Sequence, residues 1–337
     1  MTGDSPSPAT LREAFLELAR TPERADELAR LLAEIVPVFT TGPDAGKYFC
    51  MLERYGFHLT PVHFYQPIPD TRDLPASLWE KPSDLPGIDW NEARQLQLLH
   101  DVFPRFRDEY DRIPMEPRGA PHEFFMRNGA FEGTDALVLY CMVRAFRPGL
   151  IIEVGSGFSS RLSAQAALQN GDTRLLCIEP YPVDALNSGF PGLTAVIPKR
   201  VQEVELDFFD QLGDGDILFI DSSHVVKTGG DVNYLFLEVL PRLRPGVIVH
   251  VHDIFLPEEF PRRWIVDLRL FWTEQYLLQA FLIGNSEFEI LFGNTYMGLR
   301  HQGHMKRAFP RSPWWGGGSF WMRRKPGNGG RPGTASP

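Results

Sequence analysis

The sequence has few cysteines, no long apolar run and no excess of basic residues, and each absence argues against a class of protein. Only 3 of its 337 residues are cysteines, without Cys-x-x-Cys spacing, which disfavours a disulfide framework or a structural zinc site and favours a reducing compartment. No stretch approaches about 18 consecutive apolar residues, so no membrane-spanning helix is expected. The first residues lack the basic-then-apolar order of a secretory signal. We therefore expect a soluble cytoplasmic protein.

Basic residues are outnumbered by acidic ones. The chain carries 34 Lys and Arg against 43 Asp and Glu, a formal net charge of −9. Broad affinity for nucleic acid or for an anionic membrane requires a basic surface, so neither partner is expected. A small charged ligand remains compatible with this balance, and so does a homo-oligomer.

The apolar content, 43 % of residues, is enough for a real core, and the length suits about two domains. Near residue 147 the sequence pattern changes from helical spacing with many prolines to apolar strands that alternate with helices. We predict a helical, proline-rich N-terminal cap at residues 1–130, a second domain at 131–325 and a disordered Gly/Pro/Ser-rich tail at 326–337.

The cap combines helices with an irregular segment. Apolar residues at helical spacing predict two short helices that are broken near Thr21-Pro22. The segment Tyr55–Pro86 contains too many prolines for a central strand or a long helix, so we expect an ordered loop or covering arm. Asp89 and Glu92 have the spacing of a capping box and predict the start of a further helix.

The second domain reads as an α/β fold. A helix is predicted over Thr134–Phe146, and short apolar runs alternating with helical pieces follow it. Such continuous apolar strands indicate a parallel sheet that is covered on both faces. The predicted strands are Leu150–Val154, Leu175–Ile178, Thr194–Ile197, Ile217–Ile220, Val247–Val251, Phe288–Phe292 and Ser319–Met322.

A small-residue turn follows the first predicted strand. The segment Glu153–Ser160 reads Glu-Val-Gly-Ser-Gly-Phe-Ser-Ser and leads into a helix whose free N–H groups could meet a ligand. A dinucleotide site would place a third glycine where Ser160 stands and an acid about 20 positions later. An acid two residues before the first glycine is more typical of S-adenosylmethionine (SAM), whose cationic groups need nearby negative charge.

Further acids stand where later strands end. Glu179 ends the second strand and could accept hydrogen bonds from two ribose hydroxyls. Asp221 ends the fourth strand, and Gln202 or Glu203 after the third could meet an adenine amino group. Open α/β sheets bind ligands at this edge, so these residues are expected to line one pocket.

With these motifs the region from Ala130 to Arg323 resembles the class I SAM-dependent methyltransferases, in particular the group known as methyltransferase family 24. The resemblance implies SAM as cofactor and a Rossmann-like, seven-stranded sheet whose last strand is antiparallel. It rests on Glu153–Ser160, Ile178–Pro182, Leu218–His224, His250–Pro257 and Gly318–Trp321. The cofactor-binding residues that it implies are Glu153, Gly155, Ser156, Gly157, Ser159, Glu179 and Asp221.

The chemistry is expected from His224, His252 and Asp253, because methyl transfer to a hydroxyl needs a group that accepts the proton. In the divalent-metal O-methyltransferases, acids or amides at this location hold the metal, which maps onto Asp221, His252 and Asp253. The histidine would suit Mn, Fe or Zn better than Mg. A metal-free site with His224 or His252 as base is equally compatible, and so is a site whose acids only bind the cofactor. His250, deeper in its strand, is expected to be structural.

The sequence therefore predicts an enzyme that transfers a methyl group from SAM to a small-molecule acceptor, at a hydroxyl oxygen. On a predicted helix, Trp272 shares a face either with Gln275 or with Tyr276, and such a pair could form the acceptor wall. Two alternatives remain open: a metal-dependent hydroxylase on the same fold, and a non-catalytic SAM-binding partner protein. A dehydrogenase is less compatible with Glu153 and Ser160.

Overall fold

The computed structural model describes residues 8–325, which divide into two compact units, one ending at Pro75 and one beginning at Ala76. The tail predicted at 326–337 lies outside the described residues. The sequence placed the domain boundary at residue 130, whereas residues 76–130 pack within the second unit. The physical reason is burial: Leu98, Phe103 and Phe124 are at most 1 % exposed and belong to the core beneath the sheet.

The first unit is helical and then irregular. Its helices are α1 (Pro8–Arg20), α2 (Ala25–Thr40) and α3 (Ala45–Arg54). The predicted break near Thr21-Pro22 is confirmed, since a 3₁₀ turn at Pro22–Arg24 separates α1 from α2. The helix α3 was not predicted. From residue 55 to residue 75 the chain contains no helix or strand, in line with its proline content, and a covering role for this arm stays a prediction.

The second unit alternates strands and helices after a helical lead-in, and the predicted helix over Thr134–Phe146 is α6. Its helices are α4 (Glu92–Gln97), α5 (Arg107–Tyr110), α6 (Gly133–Phe146), α7 (Phe158–Asn170), α8 (Asp184–Ser188), α9 (Asp231–Tyr234), α10 (Arg262–Val266), α11 (Glu274–Leu282), α12 (Asn294–Arg300) and α13 (Gln302–Ala308). Its strands are β1 (Leu150–Val154), β2 (Arg174–Ile178), β3 (Ala195–Ile197), β4 (Ile217–Ile220), β5 (Ile248–Val251), β6 (Phe288–Gly293) and β7 (Phe320–Arg324).

These strands form one seven-stranded sheet in the order β3-β2-β1-β4-β5-β7-β6. The first five strands pair in parallel, while β7 runs antiparallel to both β5 and β6. The expected fold class, a Rossmann-like sheet with an antiparallel last strand and a helical N-terminal region, is confirmed. Because the crossover connections return each parallel strand in the same direction, β1, β2, β4 and β5 end at the same sheet edge.

Side chains alternate between the two faces of the sheet, and each face has its own core. On β1, Ile151 belongs to the core that includes α6 and α7, whereas Ile152 and Val154 belong to the opposite core with the segment 232–240 and α11. All three are at most 3 % exposed. Each such buried side chain contributes about 1.5–3 kcal/mol relative to exposure. Because both faces of the sheet are packed, the strand ends that carry the acids are held in place.

One local prediction was wrong. Asp89 does not form a capping box with Glu92, because its Oδ1 accepts the N–H of Asn91 at 2.9 Å and closes a turn. The helix α4 begins only at Glu92, after Asn91 in a left-handed conformation with φ 48°. The Asn91 side chain instead donates to the Ile290 carbonyl at 3.0 Å. A contact with β6, distant in sequence, therefore sets the start of this helix.

No helix in residues 8–325 is both long enough and apolar enough to span a bilayer.

Candidate active site

The turn after β1 requires a glycine, Gly155, because of its backbone conformation and the space around it. Gly155 has φ 78°, and its N–H donates to the Ile178 carbonyl of β2 at 3.0 Å. A Cβ at this position would lie 1.7 Å from the backbone oxygen of Asp221. The glycine thus permits two strand ends to cross at backbone distance. Gly157, at the start of α7, donates its N–H to the Ser160 hydroxyl at 3.0 Å.

Glu179 organises the floor of an adjacent cleft. Its Oε2 accepts the N–H of Ser156 at 3.2 Å, and its Oε1 accepts the N–H of Tyr181 at 2.8 Å. Each oxygen keeps a lone pair for a ligand hydroxyl. The cleft has a volume of about 410 Å³ and includes Gly155, Glu179 and Asp221 in its lining. Gln202 lines it as well, as placed from the sequence, whereas Glu203 forms an ion pair with Arg200 at 2.8 Å.

Glu153 occupies a different position from the one expected. It is 0 % exposed on the face of β1 that α7 covers, and its Oε1 accepts the hydroxyls of Ser159 at 2.6 Å and Ser160 at 2.9 Å. Burial raises the pKa of Glu153 to about 8, against the lowering effect of the two serines and with help from the carboxylates of Asp221 and Glu179. Ser159 therefore binds Glu153. The Oε2 of Glu153 is buried and has no hydrogen-bond partner.

Beyond the cleft, the ends of β4 and β5 bring together the predicted metal set. Within residues 8–325, one group of three metal-ligating side chains was found, Asp221, His252 and Asp253, whose ligand atoms lie within 4.8 Å of one another. The Nε2 of His252 lies 3.4 Å from Oδ1 of Asp253. The structure thus confirms that these three residues are neighbours, although whether they bind a metal stays a prediction.

His224 contacts this group and is held between acids. Its Nε2 lies 3.3 Å from Oδ1 of Asp221 and 3.7 Å from Oδ2 of Asp253, and its Nδ1 is 2.9 Å from Oε2 of Glu274. Burial by itself would lower the pKa of His224, but the hydrogen bonds with Asp221 and Glu274 outweigh burial and raise it to about 10. The ring is therefore an imidazolium at neutral pH, a poor proton acceptor.

The pKa values of the other groups in the cluster are also shifted by burial and by neighbouring charges. Burial opposes protonation of His252, yet the surrounding carboxylates, that of Asp253 first, outweigh it and raise its pKa. Burial also raises the pKa of Asp253. His224 and Asp253 both have left-handed backbones, at φ 60° and 56°. Such conformations cost about 1–3 kcal/mol in a non-glycine residue and are typical of functional sites.

Two acids of this region were missed by the sequence interpretation. Glu274, at the start of α11, is 0 % exposed and pairs with His224. Asp135, in the first turn of α6, accepts the N–H groups of Gly318 at 3.0 Å and Ser319 at 2.8 Å and so fixes the turn before β7. Both stand in the first turn of a helix, where acids are common, and only their burial distinguishes them.

Aromatic rings surround the histidines. The ring of Trp272, expected in an acceptor wall, lies 4.3 Å from that of His224. His250 is 0 % exposed, stacks on Phe219 at 3.9 Å and contacts the Ser319 hydroxyl at 3.0 Å. Burial lowers the pKa of His250 well below its usual value, so this ring is neutral. Its surroundings agree with the structural role expected for it.

The residues fit the expected cofactor. SAM carries positive charge, Glu179 and Asp221 line the cleft with carboxyl groups, and beneath the turn the Oε2 of Glu153 lacks a hydrogen-bond partner. Glu179 offers free lone pairs in the cleft. The cluster also fits a cation, because four carboxyl groups surround two imidazole rings: Asp135, Asp221, Asp253 and Glu274 around His224 and His252.

Known proteins share parts of this chain. A family profile described as a methyltransferase domain matches residues 152–254. An uncharacterized protein of Archaeoglobus fulgidus is 32 % identical over 161 residues, covering 45 % of this chain and 72 % of that protein.

Two solved structures were also matched. One, provisionally named an O-methyltransferase from Klebsiella pneumoniae, is 14 % identical with a TM-score of 0.32, over 70 % of this chain and 97 % of that chain. The other, provisionally named a methyltransferase from Thermobifida fusca, is 14 % identical with a TM-score of 0.32, over 75 % and 98 %. Likeness at this level assigns no function.

Proposed function

The chain belongs to the class I SAM-dependent methyltransferases, and on that premise we propose that it transfers a methyl group from SAM to a hydroxyl oxygen of a small molecule. One observation carries the hydroxyl assignment: Asp221, His252 and Asp253 form a charged group at the same sheet edge as the cleft of Glu179. An acceptor at this edge would meet groups able to remove a hydroxyl proton.

The cleft residues supply binding. SAM supplies an activated methyl group on a sulfonium. Glu179 would accept hydrogen bonds from the ribose hydroxyls, because both of its oxygens are oriented by backbone N–H groups. Gly155 and Gly157 leave room beside the turn, and Asp221 places a negative charge between the cleft and the cluster. The buried Glu153 anchors the start of α7 by accepting the hydroxyls of Ser159 and Ser160.

Proton removal is assigned to the cluster. Asp221, His252 and Asp253 would hold a divalent ion, and an ion there would lower the pKa of a hydroxyl bound beside it. Without an ion, His252 or Asp253 would accept the proton directly. His224 is given a positioning role, because as an imidazolium between Asp221 and Glu274 it fixes the carboxylate of Asp221.

The experiment separates cofactor binding from chemistry. The purified chain is titrated with SAM by calorimetry, and transfer of a labelled methyl group is followed with panels of small phenols, sugars and hydroxy acids, with and without EDTA. We expect Glu179→Gln to weaken SAM binding by about tenfold or more, since hydrogen bonds to a charged group contribute about 1.5–3 kcal/mol. Asp253→Asn should keep SAM binding and lower turnover by about 10²–10⁴-fold.

Glu238→Gln is the matched control. Glu238 is an exposed acid that pairs with Arg242 at 2.7 Å and lies outside the cleft lining. Its replacement should change neither the affinity for SAM nor the turnover. Methyl transfer abolished by EDTA and restored by Mn²⁺ or Zn²⁺ would support the metal-assisted form. Activity that EDTA leaves intact would favour the metal-free base. SAM binding with no product for any acceptor would support a non-catalytic binding protein, and oxygen uptake with hydroxylated product would replace the proposal.

A further inference from the structure

A second group of imidazoles lies outside the proposed active site. His100 is exposed on the short helical segment Leu98–Val102, and His304 is half-buried on α13. The Nε2 of His100 and the Nδ1 of His304 are in direct contact, and the two ring centroids lie 4.5 Å apart. The two residues come from segments 204 positions apart in the sequence. Two ring nitrogens that face each other at the surface become a pair of ligands when the rings move apart enough to admit an ion at about 2.0–2.1 Å from each nitrogen.

The neighbours of this pair are also potential metal ligands. His301, one turn before His304, has its ring centroid 5.8 Å from that of His304. The Nε2 of His301 is buried and lies 3.1 Å from Oε1 of Glu92, without the geometry of a hydrogen bond. Glu92 also accepts the hydroxyl of Tyr296 at 2.6 Å, which holds its carboxylate in place. A carboxylate and a third imidazole thus stand behind the pair.

We propose that His100 Nε2 and His304 Nδ1 bind a divalent transition-metal ion of the zinc class. Neutral imidazole is a preferred ligand of Zn²⁺, Ni²⁺ and Cu²⁺, and it binds hard ions such as Mg²⁺ poorly. Water completes the coordination of the exposed ion, as at other sites with few protein ligands. The ion links the segment Leu98–Val102 to α13, two elements that already pack on each other.

The local charges are compatible with a bound cation. Arg307 lies near His304, and the carboxylate of Glu92 lies on the far side of His301. Arg307 opposes a cation here, while Glu92 favours one. This site shares no residue with Asp221, His252 and Asp253, so it does not depend on the proposed function.

The test uses Zn²⁺ itself on the full-length chain after dialysis against EDTA. Calorimetric titration is compared for the wild type, His100→Gln, His304→Gln and the double variant. His122→Gln is the matched control, because His122 is an exposed histidine whose ring stacks on Phe190 at a centroid distance of 6.2 Å. We expect each single variant to weaken one Zn²⁺ equivalent by at least about tenfold, because one of two protein ligands is lost. The double variant should add little, because both residues bind the same ion.

Thermal melting provides a second readout, independent of enzymatic activity. At about 100 times the dissociation constant, Zn²⁺ should raise the melting temperature of the wild type and of His122→Gln by about 4 °C, and His304→Gln should lose most of this increase. A Zn²⁺ titration of His304→Gln identical to that of the wild type would overturn the proposal. So would a single equivalent that persists in His304→Gln and disappears in Asp221→Asn.

Discussion

The two halves of the ligand-binding sheet edge are built by different physical means. At the ends of β1 and β2 the backbone dominates: Gly155 crosses Asp221 at close range, and Glu179 is fixed by two N–H groups. At the ends of β4 and β5 side-chain charges dominate, with His224 between Asp221 and Glu274. The first half is sensitive to shape and the second to charge balance.

The difference indicates how each half can be broken. A methyl group suffices to disrupt a site made by backbone contacts, since no side chain there can move aside. A charge network tolerates changes of shape but not the removal of one partner, because an unpaired buried charge is more costly than an absent pair. Each of the following variants tests one side of this contrast.

The largest effect is expected for Gly155→Ala. The new Cβ would lie 1.7 Å from the Asp221 carbonyl oxygen, at φ 78°, so β1 and β4 must separate. We expect the free energy of unfolding to fall by more than about 4 kcal/mol and SAM binding to be lost, measured by chemical denaturation and calorimetry.

Gly149→Ala is the matched control at the other end of β1. Its Cβ would meet Asp216 Oδ1 at 3.5 Å, an ordinary contact, so stability should change by less than about 1 kcal/mol. Equal stability of the two variants would refute the view that the half at the ends of β1 and β2, the cofactor half, depends on backbone contacts.

Much of the fold could be predicted from the sequence because the strands are short apolar runs bounded by Gly, Pro or acids. The predicted bounds Leu150–Val154 and Ile217–Ile220 agree with β1 and β4, and Val247–Val251 differs from β5 by one residue. The charged edge was equally visible, since acids at the ends of parallel strands must meet. Strand formation and the position of an acid at a strand end depend on neighbouring residues, so the sequence pattern shows both directly.

The features that could not be predicted from the sequence are contacts between residues that lie far apart along the chain. His224 pairs with Glu274, 50 residues later, and Asp135 binds Ser319, 184 residues later, and no spacing rule selects such pairs. Glu153 is a different case, because alternation along β1 puts it on the face of Ile151, beneath α7. That orientation was predictable from the alternation, and the partners of the acid are the two serines that follow it, Ser159 and Ser160.

The charged half is tested by His224→Gln. Removing the imidazolium leaves the carboxylate of Glu274, 0 % exposed, without its positive partner. We expect a loss of about 3 kcal/mol in the free energy of unfolding, measured at pH 7 in the presence of EDTA.

The double variant His224→Gln/Glu274→Gln is the informative comparison. It removes both members of the pair, and we expect it to be more stable than the single variant, because the buried carboxylate of Glu274 is no longer left unpaired. Strictly additive losses would contradict the description of this half as a balance of charges.

The effect that links both halves is the pH dependence contributed by Glu153, which is spread over several pH units. Its pKa is raised from 4.5 to about 8 by burial. Between these values the folded chain holds a proton that the unfolded chain releases, so stability falls as pH rises, by up to about 1.4 kcal/mol per pH unit. Below pH 4.5 this contribution is fully present, and above about pH 8 it is lost.

Glu153→Gln should remove this part of the slope. The amide oxygen can still accept from Ser159 and Ser160, but the NH₂ group has two donors where the protonated Oε2 has one, and a further buried donor without a partner costs about 1–3 kcal/mol. The variant should therefore be less stable than the wild type at pH 5 and approach or exceed it at pH 9, measured by urea denaturation at each pH. Asp135, Asp253 and Glu274 keep their raised pKa values in both proteins, so the difference between the curves isolates Glu153. Parallel curves would show that Glu153 is ionised at neutral pH, and the cofactor half would then depend on charge as much as the other half does.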